Sequence, residues 1–421
     1  MTSEAYRAAI LDVVYLVACA VNDTAPDPVR VGKINLENLY KAADRHLLTG
    51  ITAIALESAG VKNEAFTQAK GKAIRKVAAF DVERALVLQA LEEAGIWYMP
   101  LKGSVLKSLY PKIGMRQMAD NDILIDASRT ADVKTIMENL GFSSDSHTGR
   151  SVHDNYMKPP VCYFEMHRML FGSMHDSRIS EYYQDVKNRL ILNEGSRYGY
   201  HLSDADFYVY MIAHEYKHYS GGGTGLRSVL DTYVYLKKKG DALDWTYISG
   251  ELDKVGIAEF EAQNHSLALH LFGGEKLTEQ DEKMLEYILS SGTYGTVQNR
   301  LENEIRKYGN GPFGKLHYVM KRLFLPMDTV RAVFPLFAKY PILLPFLPFY
   351  RVFRALRSRN GRLQAELKAL IGHKRQHYWG VFIAPQFRRK VNGVGDILFY
   401  QLFPAYKEEL EFVESHSDQT N

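Results

Sequence analysis

Two aspartates one residue apart, Asp120 and Asp122 in the stretch RQMADNDILID (residues 116–126), stand directly before the apolar run Ile123, Leu124 and Ile125. Side chains alternate along a strand, so on a strand that begins here both carboxylates face the same side and can share one divalent cation. Further along, Glu165 in CYFEMHR is a charge within an apolar alternation, and a buried charge asks for a partner. If the strand of Glu165 lies beside that of the aspartates, three carboxylates converge on a hard oxygen site suited to one or two Mg²⁺ ions. Two-metal phosphoryl chemistry needs that geometry. Taken alone, the Asp-x-Asp pair reads more readily as an acidic loop before a strand.

The upstream stretch PLKGSVLKSLYP (residues 100–111) supplies what such a metal site would work on. Gly103 and Ser104 follow one strand signal and open a helix signal, so backbone N–H groups and the Ser104 hydroxyl can receive a phosphate, with Lys102 beside them. By itself a Lys-Gly-Ser is an ordinary strand-to-helix turn. The order strand, Gly-Ser, helix, strand, Asp-x-Asp, strand, Glu is far more specific.

A competing motif lies at residues 214–218. HEYKH matches H-E-x-x-H, in which His214 and His218 would bind Zn²⁺ and Glu215 would act as base of a zinc-dependent hydrolase. The match extends to Gly221, but Thr224 stands where the longer pattern needs a third histidine, leaving a glutamate such as Glu251 as the remaining ligand candidate. Phe207, Met211, His214 and His218 also share one helical face, which equally describes histidines packed against a neighbouring element.

The elements that must position these residues follow from periodicity. Residues 1–84 read as a helical N-terminal region, with a long helix from about Gln68 to Glu93 closed by Gly95. At 85–200 the pattern changes to short strands with helices between them: IWYMPL, DILID and VCYFEMHRML as strands, SVLKSLY and TADVKTIMENLGF as helices. Residues 201–330 return to helical spacing. Residues 331–421 are apolar, proline-rich and basic. Pro335, Pro341, Pro345 and Pro348 break the apolar run 333–350, so it does not read as a spanning helix. The stretch 351–375 reads as a basic amphipathic helix, suited to weak peripheral contact with an anionic membrane surface, to an acidic substrate, or to simple solvation.

The chain has 421 residues, more than one hydrophobic core usually serves, and a net charge of +3 predicts no general attraction to nucleic acid. No specific nucleic-acid partner is expected. Two isolated cysteines, Cys19 and Cys162, form neither a disulfide framework nor a cysteine metal cluster, which points to the reducing cytoplasm. The N-terminus carries acidic residues in its first apolar turns and lacks the basic start of a signal peptide, so it reads as an amphipathic helix.

In the order LKGS, LYP, R…DNDILID and EMH the sequence resembles the bacterial uncharacterised nucleotidyltransferase family, a branch of the DNA polymerase β-like nucleotidyltransferase superfamily. The resemblance implies an α+β fold, a mixed nucleotidyltransferase-type sheet core between helical N-terminal and C-terminal regions. It implies metal-dependent transfer of a nucleoside monophosphate from a nucleoside triphosphate, with Mg²⁺ or Mn²⁺, to an acceptor such as a sugar, a small molecule or a protein hydroxyl. On that match Lys102, Gly103 and Ser104 meet phosphate, Asp120 and Asp122 bind both metals, and Glu165 is the third carboxylate, which in polymerase-like relatives helps deprotonate the attacking hydroxyl. Arg116 and His167 fall on recurrent positions. The family's His-x-x-Lys-His helix with a later Arg and Asp matches His214, His218, Arg227 and Asp231, implying contact with nucleotide or acceptor. Asn121 departs from the pattern, since the residue between the aspartates is usually apolar. A catalytically silent module that only binds nucleotide is the alternative within the same fold.

Overall fold

The computed structural model describes residues 2–144, 152–172, 177–309, 312–325 and 327–357. Their contacts form two units, the first within residues 2–217 and 225–289, the second within 218–224 and 290–357.

The first unit opens with α1 (Ser3–Val21), α2 (Pro28–Val31), α3 (Leu36–Arg45) and α4 (Thr49–Ser58), followed by the long α5 (Glu64–Glu93). Asn63 caps α5 by accepting the Phe66 N–H at 3.3 Å. Its C-terminus closes on Gly95 at φ +67°, where the Ile96 N–H returns to the Leu91 carbonyl at 3.0 Å. Next come β1 (Tyr98–Pro100), α6 (Lys102–Leu106), β2 (Asn121–Ile125), α7 (Thr130–Asn139), β3 (Ser143–Ser144), β4 (His153–Lys158) and β5 (Cys162–His167). The five strands make one mixed sheet in the order β1-β2-β5-β4-β3, in which only β2 and β5 run parallel. The α+β architecture and the adjacency of the aspartate and glutamate strands agree with the expectation from sequence.

One face of the sheet makes the core. Ile123 and Ile125 of β2, Phe164 and Met166 of β5 and Tyr156 of β4 are buried against Val77, Phe80, Val87 and Leu91 of α5 and Val133 and Met137 of α7. Phe142 meets Phe164 edge-on at 5.1 Å. Asn121 enters this same layer and is 1 % exposed. Its amide donates to the Phe80 carbonyl at 3.3 Å and its carbonyl accepts from Arg84 at 3.2 Å. The polar residue between the aspartates therefore has partners on α5, which offset the cost of burying it.

The rest of the first unit is helical: α8 (Ser177–Tyr182), α9 (Asp204–Gly221), α10 (Leu226–Lys239), α11 (Trp245–Val255), α12 (Ala258–Gly273) and α13 (Glu279–Ser291), with a small ribbon of β6 (Ile191–Leu192) and β7 (Tyr200–His201). Only the first part of α13 and α9 through Lys217 belong to this unit. Buried polar contacts tie these helices to the sheet layer. Arg116, in the loop before β2, makes a two-pronged ion pair with Asp231 of α10, both contacts at 2.8 Å, and Tyr110 donates to the same carboxylate at 2.7 Å. The His46 ring, fully buried after α3, receives the Leu226 N–H at the start of α10 and lies 2.9 Å from the Tyr6 hydroxyl. Burial pushes that imidazole down to about 3, so the ring is neutral.

The second unit contains α14 (Val297–Arg306), α15 (Pro312–Leu323), α16 (Met327–Val333), α17 (Pro335–Lys339) and α18 (Leu347–Arg357). It exposes large apolar side chains, Phe313 and Ile342 foremost. Among the described residues no helix is long and apolar enough to cross a membrane. The basic stretch 351–375 begins within α18, and from 358 onward it lies outside the described residues.

Removing one partner of a buried ion pair strands the other charge. Asp231→Asn is expected to cost about 3–5 kcal/mol of unfolding free energy in urea titration, and adding Arg116→Met to it should recover part of that loss.

Candidate active site

The face of the sheet opposite the core carries the charged residues. In the parallel β2–β5 pairing Asp122 lies beside Glu165 and Leu124 beside His167. In the β4–β5 pairing Asn155 lies beside Glu165 and His153 beside His167. Asp120 stands one residue ahead of β2, and carboxylate oxygens of Asp120, Asp122 and Glu165 all lie within 4.8 Å of one another. One Asp122 oxygen, Oδ1, is buried without a hydrogen-bond partner. A second group, His153, Glu165 and His167, meets the same distance limit and shares Glu165 with the first.

Burial pushes the Asp120 carboxyl up to about 7, and the neighbouring charges of Asp122 and Glu165 add to the effect. Burial acts on Asp122 in the same direction, but there the His167 ring and the Lys102 charge outweigh it and hold the carboxyl below the usual range. His167 is the complement. Burial favours its neutral ring, yet Asp122 and Glu165 raise it to about 9. Its Nε2 lies 3.7 Å from Asp122 and 3.5 Å from Glu165, ion-pair distances longer than a hydrogen bond.

Basic side chains ring the carboxylates. Lys102, at the start of α6, is lowered to about 8 by burial while Asp122 and Asp120 pull it upward. Lys76 of α5 donates to the Ala119 carbonyl at 2.9 Å, and burial also brings it to about 8 against the charge of Asp120. Arg227 donates to the Gln117 carbonyl at 2.9 Å and contributes positive charge at Asp120. Lys217 of α9 is lowered by burial while Glu165 and Asp122 act the other way. The Gly-Ser turn adjoins this ring. A side chain at Gly103 would meet Met118 Cε at 3.0 Å, and the Ser104 hydroxyl donates to the Leu101 carbonyl at 2.8 Å.

The structure thus brings together Asp120, Asp122, Glu165, His167 and Lys102, with Arg227 close by. Arg116 and Asp231 are brought to each other, and the guanidinium also reaches the Gly103 carbonyl at 3.4 Å, so the pair braces the turn. Glu215 points away from any ligand role beside His214. It is buried, accepts from Thr232 of α10 and Asn264 of α12 at 3.2 Å each, and burial lifts it to about 8. Among the described residues the two groups of convergent metal-ligating atoms include neither His214 nor His218. Sequence reasoning missed His153 and Asn155, because β4 was not recognised as a strand. It also missed Lys76 and Lys217. Lys217 stands inside the HEYKH motif, where attention went to the histidines, and Lys76 carries no signal beyond its place on the long helix.

An α+β core whose mixed sheet gathers carboxylates on its open face defines a nucleotidyltransferase-like fold. The sequence profile of the uncharacterised nucleotidyltransferase family matches residues 32–273, and the chain belongs to that family. No curated protein and no solved structure matches the chain.

The raised carboxyl of Asp120 has a consequence for metal-free stability. Native Asp120 keeps its proton up to about 7, whereas the unfolded chain releases it near the ordinary value of 3.8, so this contribution to stability is lost as pH rises through about 7. In chelator, Asp120→Asn should be as stable as the parent or more so, with the advantage in thermal unfolding growing from about pH 4 to about pH 7 and level above that.

Proposed function

We propose that this chain transfers a nucleoside monophosphate from a nucleoside triphosphate to a hydroxyl-bearing acceptor, the acceptor oxygen bonding to the α-phosphorus as the bond to the β-phosphate breaks and pyrophosphate leaves, with Asp120, Asp122 and Glu165 holding Mg²⁺ or Mn²⁺. The observation that carries this reading is the approach of three carboxylates to within 4.8 Å of one another on a sheet face, in a chain of this family. The donor set fits the ion: all three ligands are hard oxygens, and Asp122 Oδ1 is a buried oxygen without a hydrogen-bond partner. When bound, the divalent ion neutralises phosphate charge and makes the acceptor hydroxyl easier to deprotonate.

The chain's own residues divide the remaining work. Lys76 and Arg227 act on Asp120 and Lys102 on both Asp122 and Asp120, where they would offset the charge of a triphosphate, and Gly103 and Ser104 offer the turn against which phosphate oxygens rest. Glu165, shared with the histidine pair, takes the proton of the acceptor hydroxyl on a carboxylate oxygen. His167, charged between Asp122 and Glu165, holds both carboxylates in place. Arg116 and Asp231 act at one remove, through the Gly103 turn. His214 and His218 are assigned to the nucleotide or acceptor side by their match to the family motif. The supply of nucleoside triphosphates and the two free cysteines favour the cytoplasm, with the basic C-terminal stretch as the element for peripheral contact at the inner face of the membrane.

Incubation with each labelled nucleoside triphosphate, Mg²⁺ or Mn²⁺ and cell extract tests the reading, because the acceptor is the molecule that gains label. Asp120→Asn and Asp122→Asn should each lower transfer by at least about a hundredfold, as expected when charge stabilisation is removed from a dry site. Normal turnover by both variants would overturn the assignment, and nucleotide binding without any transfer by the parent would identify a silent module. Glu165→Gln should keep more nucleotide affinity in calorimetry than either aspartate variant, since its part lies nearer the acceptor hydroxyl.

A further inference from the structure

We infer that the same sheet face carries a second cation site of different chemistry, in which His153 Nδ1, Glu165 Oε2 and His167 Nε2 hold one first-row transition-metal dication. The proposal rests on the nucleotidyl-transfer reading only in sharing Glu165. His153 and His167 are directly paired residues on β4 and β5, and Glu165 lies two residues before His167 on the same face. All three backbones are thus fixed by the ladder. His153 Nδ1 lies 3.4 Å from Glu165 Oε2 and His167 Nε2 lies 3.5 Å from the same oxygen. Both separations are too long for a good hydrogen bond. They match the spacing between ligand atoms in a tetrahedral shell, roughly 3.4 Å for bonds of about 2.1 Å.

The unsatisfied atoms make the same point independently. His153 Nδ1, His167 Nδ1 and His167 Nε2 are buried and have no hydrogen-bond partner. Buried polar atoms are almost always paired, so His153 Nδ1 and His167 Nε2, one on each of two adjacent strands, call for a ligand, and an ion bound there would take the place of the proton that His167 Nε2 carries in the metal-free site. The rings stand 4.8 Å apart, tilted by 53°, side by side rather than stacked. Two imidazoles and one carboxylate form the donor set of open, three-ligand Zn²⁺ and Fe²⁺ centres, and they favour Zn²⁺, Co²⁺, Fe²⁺ or Mn²⁺ over Mg²⁺. His153 and Glu165 keep 25 % and 21 % of their side-chain surface exposed, which leaves an entry path and a further coordination position.

The test is Co²⁺ titration of the full chain, freed of any histidine tag and stripped with chelator, in millimolar Mg²⁺, followed by visible absorption and calorimetry. The parent should bind one equivalent with the intense absorption of low-coordinate Co²⁺, and His153→Gln should bind more than about tenfold more weakly. His153→Asn gives a second reading should His153→Gln disturb the fold, which circular dichroism reports. Asp120→Asn should lose nucleotidyl transfer yet keep the Co²⁺ site, so failure of one assignment is separable from failure of the other. No stoichiometric Co²⁺ in the parent overturns the inference. So does equal binding by the His153 variants, or a loss that appears instead in the His214→Ala and His218→Ala pair.

Discussion

The parallel pairing of β2 with β5, in the register that sets Asp122 beside Glu165, is the constraint on which the site depends. Side chains alternate along both strands, so a slip of one residue would turn Glu165 into the layer between the sheet and α5 and bring Phe164 or Met166 out to the open face. That slip is opposed by the core. Ile123, Ile125, Phe164 and Met166 are each 1 % exposed or less, and burial of such side chains stabilises by about 1.5–3 kcal/mol apiece. Apolar packing on one face therefore dictates where charges fall on the other, and no attraction among the charges is required to gather them.

The charges in fact oppose the gathering. Three carboxylates within a few ångströms, drawn partly out of water, would repel strongly, and the structure answers with imidazolium and ammonium groups rather than with distance. His167 stands between Asp122 and Glu165, and Lys102, Lys76, Lys217 and Arg227 surround the group from four different elements. The compensation is distributed by residue. Asp122 takes most of it and stays ionised, whereas Asp120 is left with its carboxyl raised. Two carboxylates one residue apart are thereby held in opposite protonation preferences by their surroundings.

Much of this was legible in the sequence because it is local. The apolar alternation of DILID and CYFEMH marks two strands, and the Glu in the second is visible as a charge out of pattern. The long helix ending before Gly95 is equally plain, although it begins at Glu64, a turn earlier than the periodicity indicates, because the Asn63 cap rather than an apolar residue sets its start. HDNYMK hid β4, since its inward residues are Asp154, Tyr156 and Lys158 and the one aliphatic side chain, Met157, falls on the outward face, so no apolar alternation remains. His153 and Asn155 went unseen with it. Arg116 and Asp231 illustrate another limit: residue types suited to binding a nucleotide are also suited to binding each other, and only the fold tells which occurs. The same holds for HEYKH, whose glutamate is turned toward Thr232 and Asn264 by the packing of three helices.

Asn121 binds β2 to the long helix α5. The residue flanked by the two aspartates is tied through its side chain to the Phe80 carbonyl and to Arg84 on α5, so its polarity is not a local choice. An apolar residue at 121 would leave the Arg84 guanidinium with Asp81 alone for company in this layer, while Asn121 beside an apolar residue at 84 would keep a buried carbonyl unsatisfied. Positions 84 and 121 are therefore coupled, so that a change at either is felt across the contact between the long helix and β2.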